Sequence, residues 1–125
     1  MTENDLKILI CDDSLLARRN LKESLKSLNI TNIIEVTDGQ TAIDTYKTEH
    51  PDITFLDIVM PVKDGITAVK EIKAYDENAY LIMVSSVGTQ AHLKEALKSG
   101  AMDFIQKPAS IEQLKSVVTA AVKKS

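Results

Sequence analysis

The sequence predicts an α/β fold: a five-stranded parallel sheet with helices on both faces. Two observations carry that expectation. Short apolar runs alternate five times with longer amphipathic stretches along the 125 residues. Those runs are mostly apolar at consecutive positions, as strands covered on both faces should be. Regular alternation with connections of ordinary length argues for a parallel sheet with helices on both faces.

The elements follow in chain order. Ile8–Cys11 is the first strand. Ser14 is placed to cap a helix in which Ala17, Leu21, Leu25 and Leu28 share one face, with Asn29 as its stop. Ile33–Val36 is mixed in polarity and suits a position near a sheet edge. Asp38-Gly39 reads as a turn. A short helix follows from Thr41 to Lys47, with Ala42, Ile43 and Tyr46 inward, and Pro51-Asp52 breaks it. Ile53–Leu56 is the third strand. A loop from Pro61 to Gly65 leads to a helix built on Ile66, Val69 and Ile72. Leu81–Val84 is the fourth strand. Leu93, Ala96 and Leu97 give the next helix its inner face, and Gly100 ends it. Phe104–Gln106 is the fifth strand, stopped by Pro108. Ser110 and Gln113 have the spacing of a capping box. Ile111, Leu114, Val118, Ala121 and Val122 stripe the last helix.

At this length one domain is expected, residues 1–125, with a core that needs no staples. The net charge of −3 gives no general attraction to nucleic acid or anionic lipid. No apolar stretch is long enough to suggest a membrane span, and the start is polar and acidic rather than a signal peptide. The single cysteine, Cys11, excludes an internal disulfide and reads as a small core hydrophobe. A cytoplasmic protein is the expectation. Met1 and the complete last helix favour a natural stand-alone chain, expected to be a monomer.

The chemistry gathers at strand ends. Asp12 and Asp13 end the first strand, Asp57 the third, Ser85 and Ser86 the fourth, and Lys107 the fifth. Open parallel sheets bind ligands at that edge. Taken singly, each residue has an ordinary explanation as a helix cap, a turn acid, a strand exit or a solvated lysine. Jointly they are far more specific. Neighbouring carboxylates stay ionised together only around a cation, and a hard divalent ion such as Mg²⁺ suits oxygen ligands. A carboxylate can attack phosphorus to give an aspartyl phosphate. A lysine and a serine hydroxyl can then meet phosphoryl oxygens. His50 and His92 read as solvated surface. Neither a zinc cluster nor a Gly-rich phosphate loop is present.

The chain resembles the receiver domain of two-component response regulators, closest to the stand-alone, CheY-like kind. The likeness rests on Ile8–Ser14, Phe55–Gly65, Val84–Ser86 and Gly100–Pro108. The resemblance implies strand order 2-1-3-4-5 and a phosphoacceptor Asp57 served by a sensor histidine kinase. It implies Mg²⁺ held by Asp12, Asp13, Asp57 and the Val59 carbonyl, with Lys107 on the acyl phosphate before a cis Lys-Pro bond. Ser85 and Phe104 would be the switch hydroxyl and switch aromatic. They would alter the surface from His92 to Val122, recognised by a target such as a flagellar motor switch or another signalling protein. Such a chain is a signalling module, not an enzyme, and chemotaxis is its expected setting.

Three positions depart from the pattern. Val59 and Val87 are apolar where a stand-alone enteric member carries polar and acidic side chains, which implies a long-lived phosphoryl group. Ala109 stands where many members carry Phe. Two rival classes fare worse. A Mg²⁺-dependent phosphohydrolase of the haloacid-dehalogenase kind wants Asp-x-Asp, and Asp57-Ile58-Val59 lacks the second acid. A flavodoxin-like electron carrier wants a hydroxyl-rich phosphate loop where Asp12-Asp13 would repel the flavin phosphate.

Overall fold

The computed structural model describes residues 5–86 and 90–124. Five strands alternate with five helices: β1 Lys7–Cys11, α1 Leu15–Ser27, β2 Asn32–Val36, α2 Gly39–Glu49, β3 Ile53–Leu56, α3 Gly65–Tyr75, β4 Leu81–Ser85, α4 Gln90–Ser99, β5 Asp103–Gln106 and α5 Ile111–Lys124. The sheet order is β2-β1-β3-β4-β5, with every pairing parallel. Both the fold class and the strand order match expectation. The mixed-polarity strand β2 does sit at an edge.

Successive strand residues point to opposite faces, and two buried layers result. Leu9, Cys11, Leu56, Leu81 and Met83 pack with Ile43 and Tyr46 of α2, Val69 and Ile72 of α3, and Ala96 of α4. Ile8, Ile10, Phe55, Ile82 and Val84 pack with Leu25 of α1 and with Leu114, Val117 and Val118 of α5. Each fully buried Leu, Ile or Phe contributes about 1.5–3 kcal/mol. An exposed ion pair contributes about 0–1 kcal/mol. The layers therefore hold the fold, and pairs such as Lys7–Glu49 trim it.

The helix ends follow local chemistry. The Ser14 hydroxyl accepts from the Ala17 N–H. Asn29 takes left-handed backbone (φ 68°) and stops α1. Gly100 stops α4 at φ 121°, where a β-carbon would be strained. Ser110 and Gln113 cap α5 reciprocally, each backbone N–H donating to the other's side chain at 3.1 Å.

Several expectations need correction. Asp38-Gly39 is no turn: Asp38 caps α2 and Gly39 is its first residue. Leu97 and Ile111 were expected inward but are 45% and 44% exposed. Helical spacing placed them on the apolar stripe, yet each lies at its margin. Val117 takes the inward place on α5. His92 is half-buried rather than fully solvated, and exposed His50 stacks on the Tyr75 ring. Val87 lies outside the described residues.

Candidate metal and phosphoacceptor site

The register of the strands builds the site. Cys11 and Leu56 are the last paired residues of β1 and β3. The next residue on each chain is an aspartate, and the Asp57 N–H still donates to the Cys11 carbonyl at 3.0 Å. Asp12 and Asp57 therefore emerge side by side. Asp12, Asp13 and Asp57 each offer a carboxylate oxygen, all within 4.8 Å of one another. Asp12 and Asp57 are buried, and Asp13 is exposed.

Lys107 reaches this cluster from the end of β5. Its Nζ lies 2.5 Å from Asp12 Oδ2 and 3.1 Å from Asp57 Oδ2. Burial alone would depress the ammonium. The hydrogen bonds and charges of Asp12 and Asp57 outweigh it, and the Lys107 pKa is raised above its ordinary 10.5. The remaining oxygens of the two buried acids are also occupied. Asp12 Oδ1 accepts from the Ser14 N–H, and Asp57 Oδ1 from the Ile58 N–H. The peptide bond between Lys107 and Pro108 is cis.

Two neighbours meet the backbone of these acids rather than their carboxylates. A β-carbon on Gly65 would lie 2.0 Å from the Asp57 carbonyl oxygen, so only glycine lets α3 start this close. The Arg18 guanidinium donates from Nη1 to the Asp12 carbonyl at 2.7 Å. Neither was legible as a site residue, since both contacts depend on register between distant segments. Cys11 behaves as expected for a core thiol. Burial, then the charges of Asp38, Asp12 and Asp57, push it up to about 12, so it stays neutral.

The other expected residues fall into two groups. Val59 is 62% exposed and lines the cleft over the acids together with Ser86 and Ala109. That cleft has a volume of about 930 Å³ and runs from the acids along α1, with Ile111 at the start of α5 on its lining. Ser85 is fully buried at the end of β4, where its carbonyl accepts from the Lys107 N–H at 2.9 Å. Phe104 is half-buried against the α2–α3–α4 layer.

The donor set fits a hard divalent cation. Three carboxylates converge, one of them exposed, and among the described residues the ammonium of Lys107 is the cation paired with the two buried ones. Among the described residues, Asp12, Asp13 and Asp57 form the group that would hold such an ion.

The family model described as the response regulator receiver domain matches residues 8–119. This chain belongs to the response regulator receiver domain family. The chemotaxis protein CheY of Bacillus subtilis is 42% identical over 102 residues, covering 82% of this chain and 85% of the relative. CheY of Halobacterium salinarum is 39% identical over 119 residues, covering 91% and 98%. Among solved receiver structures, the CheX–CheY–BeF3–Mg²⁺ complex from Borrelia burgdorferi superposes with a TM-score of 0.85 at 35% identity. It covers 94% of this chain and 89% of that one. Among the described residues, no helix is long and apolar enough to cross a membrane.

Proposed function

We propose that Asp57 is a Mg²⁺-dependent phosphoacceptor, receiving phosphate from a sensor histidine kinase in a two-component pathway. One observation carries the reading: three acids and a lysine from separate strand ends share a single open cleft. Receiver-family membership supports it. So does the Borrelia relative, whose complex contains Mg²⁺ and BeF3.

In this reading an Asp57 carboxylate oxygen attacks phosphorus. The new O–P bond forms as the bond from phosphorus to the kinase histidine nitrogen breaks, and its electron pair leaves with the imidazole. When bound, Mg²⁺ supplies charge neutralisation and polarises a phosphoryl oxygen. Asp12, Asp13 and Asp57 would hold the ion, and the Val59 carbonyl would complete the protein's share. Lys107 moves its ammonium from the Asp57 carboxylate to a phosphoryl oxygen, as a compact point charge can. Ser85 then turns its hydroxyl towards the phosphoryl group, and Phe104 packs inward behind it. The altered surface is that of α4, β5 and α5, read by a downstream signalling protein. The similarity to chemotaxis proteins favours a chemotaxis role in the cytoplasm, with a flagellar motor switch or another signalling protein as target.

Incubation with a small acyl phosphate and Mg²⁺, followed by peptide mapping by mass spectrometry, tests the assignment. One phosphoryl group is expected on Asp57 and none on the Asp57→Asn variant. A variant that still gains phosphate overturns it.

A further inference from the structure

We propose that Arg18 is a positioning residue for the cation site, acting through the backbone of Asp12. This deepens the phosphoacceptor reading and rests on it. The last β1–β2 rung pairs Cys11 with Val36, and the Asp12 N–H still reaches the Val36 carbonyl at 3.2 Å. Beyond that rung, the Asp12 carbonyl accepts from Arg18 Nη1 at 2.7 Å. The same guanidinium donates from Nε to Glu35 Oε1 on β2 at 3.2 Å, and Lys22 Nζ holds the second Glu35 oxygen at 3.2 Å. The Arg18 side chain is only 13% exposed, so this is a packed brace rather than a solvated arginine.

The consequence runs through peptide planarity. The Asp12 carbonyl and the Asp13 N–H belong to one rigid unit. Fixing that carbonyl fixes the direction in which Asp13 leaves the strand. Asp13 needs such help most. Asp12 and Asp57 are held by Ser14, Ile58 and Lys107, whereas the Asp13 carboxylate makes no hydrogen bond or ion pair among the described residues. Its place in the cluster depends on its backbone. A lysine cannot replace the fork, because one ammonium cannot span both the carbonyl and Glu35 with the same planar geometry.

Positioning and bare electrostatics predict opposite signs. A guanidinium near the acids opposes a dication, so charge alone predicts tighter Mg²⁺ binding once Arg18 is removed. Positioning predicts weaker binding, of about 10–100-fold as for other residues that orient metal ligands. The experiment is calorimetric Mg²⁺ titration of the wild type, Arg18→Met and Arg18→Lys, with thermal melts alongside. Weakening of tenfold or more in folded Arg18→Met supports the proposal. Unchanged or tighter binding overturns it. Should Arg18→Met fail to fold, Arg18→Lys decides: weaker binding with the charge retained supports positioning, and wild-type affinity overturns it. A wild-type protein that takes up no Mg²⁺ overturns the cation site itself as well, which separates the two failures.

Discussion

The Lys107 ammonium, 2.5 Å from Asp12 and 3.1 Å from Asp57, is the only side-chain cation paired with these acids among the described residues. Removing it leaves two buried carboxylates facing one another. Truncating one partner of a fully buried pair costs about 3–5 kcal/mol; in this open cleft about 1–3 kcal/mol is expected. Lys107→Met should therefore melt lower in Mg²⁺-free buffer, and added Mg²⁺ should raise its Tm more than it raises the wild type's. Equal shifts on Mg²⁺ addition would contradict the shared role of lysine and metal. Val59 makes a separate point. Exposed on the cleft two residues beyond Asp57, it offers an attacking water no hydrogen bond. Val59→Asn should release phosphate about tenfold faster, well below the 10²–10⁴ of a full general base. An unchanged autodephosphorylation rate would remove Val59 from the account. Asp12, Asp13, Asp57 and Lys107 were legible because each sits where a strand of the sequence pattern ends. Arg18 and Gly65 were not, because their partners are set by strand register and helix approach.

Between elements, the clearest contact outside the site joins α2 to α3. The Tyr46 hydroxyl donates to Asp76 Oδ2 at 2.8 Å, and the Tyr46, Tyr75 and His50 rings pack edge-on and stacked around it. The pKa shifts give this contact two pH limits. The Tyr46 hydroxyl, then the Asn78 N–H, hold Asp76 below its ordinary 3.8. That contribution is present above about pH 4 and is lost as pH falls. Burial, then Asp76, push Tyr46 above its ordinary 10.0. That contribution is complete below about pH 10 and is lost as pH rises. Tyr46→Phe should cost about 1 kcal/mol at neutral pH. The gap between wild-type and variant Tm should narrow at both extremes. A gap constant from pH 3 to 11 would show that the hydroxyl contributes nothing through this bond. Helical periodicity placed Tyr46 inward but could not name Asp76, which lies on another element. The same limit explains Leu97 and Ile111: spacing defines a stripe, and only the packed neighbour decides where its margin falls.

Across the whole molecule, parallel pairing brings distant residues to one edge. Lys107 reaches partners 95 and 50 positions away in the chain because β1, β3 and β5 all end on the same side. The alternation of apolar runs and amphipathic stretches made the layer architecture legible. Which strands neighbour one another was not in that pattern; the order came from family resemblance, and the pairing agrees with it. The weak, polar β2 at the edge was readable because an edge strand need not be apolar throughout. In the proposed function, this edge forms one divalent-cation site in which Asp57 is both ligand and acceptor. Calorimetric titration of Mg²⁺ into wild type and Asp57→Asn tests it most directly. One-to-one uptake by the wild type, weakened at least tenfold in Asp57→Asn, is the expected result. No uptake by the wild type, or equal affinity in both proteins, would contradict it.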